Sequence, residues 1–244
     1  MKDILQEIDA LQHEINSYRP LNAHLLKLIK EYYKIGLTYS SNALEGNSLT
    51  ESETKIVLED GITIGGKPLK DHLEAIGHAD AYNHFLTLIN NKTISENNIK
   101  YLHKLLYFRI DDKNAGIYRK NKAIITGSKY PLPRPDEIES LMKKFISTID
   151  NIRKEKHPVE AAALIHKEFV FIHPFIDGNG RLSRLLMNLM LLQESYNIAN
   201  IPLITRREYI ESLEKSHIND KDFIYFIARM VRETQKDYLR LFFK

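Results

Sequence analysis

The sequence predicts an all-α chain: a helical bundle with one small hairpin-like flap and a helical extension at its N-terminal end. Three observations carry that expectation. Apolar residues recur at helical spacing along most of the 244 residues. Ten glycines and eight prolines are too few turn-makers for a many-stranded sandwich or barrel. With 43% hydrophobic and 27% charged residues the chain has the balance of a globular protein rather than a disordered or fibrous one.

Ile4, Leu5, Ile8, Leu11 and Ile15 form the apolar stripe of a first helix over residues 2–16. After Arg19-Pro20 the period resumes with Leu21, Leu25, Leu28, Ile29 and Tyr32. A separate short helix is expected over Leu37 to Leu44, closed by Gly46-Asn47. Thr50 and Glu53 have capping-box spacing, so a helix restarts there and runs to Asp60-Gly61. Residues 62–69 alternate weakly around Gly65-Gly66 and suggest a small hairpin. Helical period returns over Asp71–Ile89 and Ser95–Phe108. Residues 116–135 break the rhythm, with strand-like Ala123-Ile124-Ile125, turn-like Gly127-Ser128 and three prolines within five residues. This is the expected flap. Helices over Asp136–Ile152, Val159–Ile172, Arg181–Ser195, Arg206–Ser216 and Asp222–Phe243 bring the number to about ten. No repeat, low-complexity run or Gly/Ser linker divides the chain, so a single domain over 37–244 is expected behind the 1–36 extension.

The formal net charge of +3 is a weak argument for nucleic acid, and no nucleic-acid partner is expected. With no cysteine there is no disulfide, thiol nucleophile or thiolate ligand. No apolar run approaches ~18 residues and the amphipathic, acidic start does not resemble a signal peptide, so a cytoplasmic chain without a membrane partner is expected.

Chemistry concentrates at residues 171–184, where an apolar helix runs into a loop rich in Pro and Gly and a new helix opens with two arginines. Gly178-Asn179-Gly180 lets the backbone approach a ligand closely, and the free N–H groups and dipole of the helix start attract phosphate. Arg181 and Arg184, three apart, offer two planar donor forks. Asp177 is a hard oxygen ligand of the kind Mg²⁺ shares with phosphate oxygens. His173 is the group here that can take a proton near neutrality. Together these residues suit a nucleotide, a metal and a general base. A zinc site from His166, His173 and Asp177 is disfavoured, because Pro174 and the glycines break any helical 173/177 pair.

His173 to Arg184 matches HPFxxGNGRxxR at every fixed position, and on that run the chain is identified as a member of the Fic-domain proteins. Gly116, Tyr118, Arg119, Pro131, Pro133 and Leu141-Met142 resemble the family's target-docking flap, in which Ile124, Ile125, Thr126 and Gly127 would meet the target. Ser41 to Asn47 is similar to the inhibitory motif [ST]xxxE[GN], with Ser41 and Glu45 at its fixed positions. The resemblance implies a Fic-type helical bundle that binds ATP with Mg²⁺ or Mn²⁺ and transfers AMP to a Ser, Thr or Tyr hydroxyl of a target protein, releasing pyrophosphate. It implies His173 as base, Asp177 on the metal, Gly178, Asn179 and Gly180 as anion cradle, and Arg181 and Arg184 on the β- and γ-phosphates. Tyr209 and His217 fall loosely where the family lines its adenosine pocket. Glu45 would pair with Arg184 in a bidentate clamp and inhibit. The same resemblance admits a bifunctional enzyme that also removes AMP, and a nucleotide-gated binding module without turnover. Self-modification belongs to the enzymatic readings, and a homo-oligomer is compatible with all three.

Overall fold

The protein is described by a computed structural model over residues 1–243. Ten α-helices are seen among these residues: α1 (Lys2–Ser17), α2 (Ala23–Leu44), α3 (Glu51–Glu59), α4 (Leu69–Thr87), α5 (Glu96–Tyr107), α6 (Ile138–Glu155), α7 (Pro158–Ile172), α8 (Asn179–Gln193), α9 (Arg206–Lys215) and α10 (Lys221–Phe242). Two 3₁₀ turns, Pro135–Glu137 and Leu203–Thr205, lead into α6 and α9. Local signals explain most boundaries. Asn22 caps α2 by accepting from the Leu25 N–H at 2.8 Å, and Thr50 with Glu53 forms the reciprocal box that starts α3. Ser95 and Asn98 form the equivalent box at α5.

Two expectations are corrected. The short helix over 37–46 is the C-terminal part of α2, which crosses residue 36 unbroken. Gly36 alone interrupts the composition, at a cost of about 1 kcal/mol relative to alanine, while Ile29, Tyr33, Leu37 and Leu44 continue one buried face through it. The hairpins expected at 62–69 and 116–135 contain no paired strands. In the second segment a turn closes with Ser128 N–H donating to the Ile125 carbonyl at 3.1 Å, and prolines at 131, 133 and 135 remove the donors a ladder needs.

α7 and α8 pack against each other at the centre of the bundle. Val159, Ala162, Ile165 and Phe169 meet Leu182, Leu185, Leu186 and Leu189 in the main core, all essentially without solvent exposure. α10 lies on α7, α1 lies on α10, α6 covers another side of α7, and α4 with α5 closes the face towards α8. The first helix is part of this body: Ile4, Ile8 and Ile15 belong to the main core, and Gln12 Oε1 accepts from both the Asn197 N–H and the Gln235 amide. The N-terminal residues thus complete the core. No helix among the described residues is long and apolar enough to cross a membrane.

Candidate active site

α7 ends at His173, whose φ of 49° and ψ of 58° are left-handed, an uncommon conformation for a residue with a side chain. Pro174 forbids continuation of the helix, and the neighbouring carbonyls are tied down by one arginine. Arg119 Nε donates to the His173 carbonyl at 2.8 Å, and the Arg119 N–H donates to the Pro174 carbonyl at 2.9 Å. Its other two nitrogens reach the carbonyls of Asn121, at 2.9 Å, and Pro133, at 2.7 Å. One buried guanidinium therefore joins both ends of the flap to the loop.

Phe175 points inward and stacks on the His103 imidazole with centroids 3.7 Å apart. Asn179 brackets the same residue, its Oδ1 accepting from the Phe175 N–H at 3.0 Å and its Nδ2 donating to the Phe175 carbonyl at 2.9 Å. His103 Nδ1 accepts from the Gly116 N–H at 2.8 Å, so the ring proton lies on Nε2, which donates to the Asp177 carbonyl at 3.0 Å. Burial lowers the His103 pKa to about 4 and keeps this tautomer neutral.

Gly178, at φ 77°, opens α8, whose first N–H groups have no intrahelical partners. A side chain at Gly180 would collide with Glu45 Oε1. The Glu45 carboxylate, delivered from the end of α2, is thus seated against the first turn of α8, where an anion is favoured. Arg184 Nη2 meets Glu45 Oε1 at 2.7 Å, Nε donates to the Ser41 hydroxyl at 2.9 Å, and Nη2 also donates to the Ser41 carbonyl at 2.8 Å. The expected bidentate clamp is therefore shared: Glu45 contributes one oxygen, and the Ser41 hydroxyl and carbonyl supply two further acceptors.

Arg181 is held from the opposite side. Its Nη1 lies 3.0 Å from Glu74 Oε1 on α4 and its Nη2 lies 3.5 Å from Asp177 Oδ1. Asn47 Nδ2 donates to Glu74 Oε2 at 2.9 Å, so the residues after Glu45 support the carboxylate that orients Arg181. Asp177 Oδ1 accepts from the Gly178 N–H at 2.6 Å, while the side chain remains 44% exposed and so open to a further ligand. Burial is the largest influence on His173 and lowers its pKa; Arg119 acts in the same direction, against Val170, Glu45 and Asp177. Its Nδ1 is shielded without a well-formed hydrogen bond.

The structure brings His173, Asp177, Gly178, Gly180, Arg181, Arg184, Ser41 and Glu45 to one place. Asn179 is there by its backbone, since its side chain is spent on Phe175. Tyr209 lies beneath the cradle, its buried hydroxyl 2.9 Å from His166 Nε2 and accepting from Arg184 Nη1 at 3.4 Å. His217 is stacked between Phe171, at 3.7 Å, and Tyr130 of the flap, at 3.8 Å. Ile124 is 91% exposed at the flap tip, and Ile125, Thr126 and Gly127 follow in the turn. Sequence reading missed Glu74, His103 and Glu214, whose Oε1 accepts from the Lys129 N–H at 2.7 Å and the Ser128 hydroxyl at 3.2 Å. All three are ordinary polar members of helices, and no local pattern marks them.

Residues 93–191 match the Fic/DOC family. The chain is 32% identical over 238 residues to the protein adenylyltransferase Fic of Drosophila yakuba, a match covering 96% of the chain. The chain carries a Fic domain. It spans about half the length of the curated relatives it matches, 48% in the Drosophila case. Among solved structures, Fic-1 (residues 134–508) from C. elegans superposes with a TM-score of 0.88 at 27% identity, over 98% of this chain and 72% of that one. A Fic-domain signalling protein from Bacteroides thetaiotaomicron gives 0.86 at 26% identity, covering 94% and 95%. The all-α Fic fold thus extends beyond residues 93–191 to α1, α2 and α10.

Proposed function

We propose that the chain is a self-inhibited protein adenylyltransferase that moves AMP from ATP to a hydroxyl side chain of a target protein. One observation carries this reading: a carboxylate sits in an anion cradle, against Gly180 and on Arg184, where a nucleotide phosphate would be bound. The similarity to protein adenylyltransferases supports AMP as the transferred group.

His173 Nε2 takes the proton of the target hydroxyl as its oxygen attacks the α-phosphorus of ATP. The bond from that phosphorus to the bridging oxygen breaks, and pyrophosphate leaves with the electron pair. Because its pKa is lowered, His173 is neutral at neutral pH and ready to accept. The α8 N–H groups and the two guanidinium forks meet negative charge on the phosphoryl oxygens without reorganising. The donor set fits a divalent cation brought in with the nucleotide: one half-exposed carboxylate, Asp177, beside the cradle, and among the described residues no cluster of three His or acidic side chains that forms a self-sufficient metal cage. Mg²⁺ or Mn²⁺ held there would neutralise phosphate charge. The flap, tied at both ends and exposed at Ile124, receives an extended segment of the target, a soluble protein or a second copy of this chain.

While Glu45 occupies the cradle, the γ-phosphate meets negative charge and ATP binds misaligned. Incubating wild type and Glu45→Gly with α-labelled ATP, a divalent cation and a cell lysate tests both halves. Label should appear on protein and rise at least tenfold in the variant, about 1.4 kcal/mol of barrier. Absence of label in either form overturns the activity; equal label in both overturns the inhibition.

A further inference from the structure

A groove of about 700 Å³ lies away from the cradle, between the α1–α2 connection and the sides of α2, α4, α8 and α10. Its size falls within the ~300–1,000 Å³ typical of small-molecule pockets. Leu21, Ile29, Leu86, Ile89 and Leu192 make its walls apolar, and no acidic residue lines it. Two cations do: Arg19 and Lys30 stand at its edge, and neither side chain has an ion-pair or hydrogen-bond partner among the described residues. Tyr33 also lines it, and its hydroxyl is buried with no hydrogen-bond partner. An orphaned buried donor costs ~1–3 kcal/mol, so its retention calls for a partner that arrives from outside. Lys30 and Tyr33 are three residues apart on α2 and therefore share a face.

We propose that this groove binds a long-chain carboxylate, the alkyl chain lying along the apolar wall and the carboxylate between Arg19 and Lys30, accepting from the Tyr33 hydroxyl. An apolar body with a single anionic end is the ligand whose charge and shape answer these features together. A wholly apolar ligand leaves both cations and the phenol unused, and a cationic one meets Arg19 and Lys30 in opposition.

The test uses cis-parinaric acid, a fluorescent long-chain carboxylate, with the intact chain. Saturable binding of one probe per chain is expected. Palmitate should displace it, and hexadecanol should do so at least tenfold less well. The double substitution Arg19→Glu, Lys30→Glu, on exposed side chains, should weaken probe binding at least tenfold with helicity and Tm unchanged. Tyr33→Phe, which removes a hydroxyl the free protein leaves unbonded, should weaken it about threefold. Non-saturable binding, equal displacement by acid and alcohol, or unchanged affinity in the charge-reversed variant overturns the proposal. So does flotation with phosphatidylglycerol vesicles without probe displacement, which assigns the cations to a membrane surface. A dimer in solution that Leu26→Arg converts to monomer also overturns it, because a second copy then covers the groove.

Discussion

The loop at 173–184 and the flap at 116–135 adjoin the same site and are built on opposite plans. In the loop, residues from four other parts of the chain hold backbone and side chains alike: Arg119 on the carbonyls of 173 (by Nε) and 174 (by its backbone N–H), His103 behind Phe175 and on the Asp177 carbonyl, Glu74 on the Arg181 guanidinium, and Ser41 with Glu45 on that of Arg184. The flap is fastened at its base by Arg119 and along one side by Glu214 and the Tyr130–His217 stack, while Ile124 stands in solvent. Under the proposed function the difference separates two tasks. Phosphoryl transfer depends on atoms held to a fraction of an ångström, and docking of varied target segments depends on a backbone free to accept them.

The sharpest break in that contrast is His173→Ala. ATP affinity should be kept and AMP transfer should fall by ~10² or more, the size of lost general-base catalysis. Nucleotide binding by calorimetry beside labelled-AMP transfer separates the two, and near-normal transfer removes His173 as base. Next in size is Arg184→Ala added to Glu45→Gly. If inhibition is competition for one guanidinium, the second change cancels most of the tenfold gain from the first. A double variant as active as the single one places the inhibition elsewhere.

On the flap, Ile125→Pro and Glu214→Ala should each lower target modification severalfold while leaving the ATP affinity close to wild type. The first disturbs the turn backbone and the second frees Lys129 and Ser128 from their anchor. Equal loss of ATP affinity would give the flap a role in nucleotide binding and merge the two plans. The pH profile bears on the loop alone. A base must be neutral to act, and burial holds the His173 pKa below the ordinary 6.5. The midpoint of the acid limb of transfer at saturating ATP should thus lie below pH 6.5, with activity lost as pH falls through it. An acid limb centred above 6.5 contradicts the burial described here. The smallest effect is expected from Gly180→Ala: the added Cβ collides with Glu45 Oε1 in the wild type, whereas in Glu45→Gly the close contact left to it is Arg184 Nη1 at 3.2 Å. The substitution should accordingly shift ATP affinity by a few-fold in the first background and by less in the second.

Much of the bundle was legible because its helices carry their own signals: the Thr50 and Ser95 boxes, the stripe of α10, and the Pro174 stop are local facts of sequence. The loop at 173–184 was legible for a related reason, since its residues are contiguous and each type has one evident chemistry. Two kinds of feature were not. Gly36 reads as a break, yet tertiary burial of Leu37 and Leu44 carries α2 through it. Ala123-Ile124-Ile125 reads as a strand, yet the three prolines and the Arg119 anchors leave no ladder to join. Glu74, His103 and Glu214 act through contacts across 107, 74 and 85 residues of chain, and nothing beside them in sequence announces the partner. Ser41 matched a motif, but that its carbonyl takes part in holding Arg184 is a fact of backbone geometry alone.

That α2 is one helix of 22 residues has a consequence for timing. A carboxylate on a free loop would come and go within nanoseconds, and the cradle would open without any signal. Glu45 instead terminates a rod about 33 Å long, rooted in the core at Ile29, Tyr33 and Leu37 and sealed at its far end by Arg206, whose Nε donates to the Leu44 carbonyl at 2.8 Å. Release therefore has two routes: unwinding of the last turn, which breaks the Arg206 bond, or sliding of the whole rod over α4 and α8, motions that in proteins run on the order of microseconds to seconds and microseconds to milliseconds. Unwinding exposes the amide protons of the last turn while those upstream of Leu37 stay protected, and sliding keeps the helix's own hydrogen bonds and protects both, so the pattern of hydrogen exchange along one helix distinguishes the two routes.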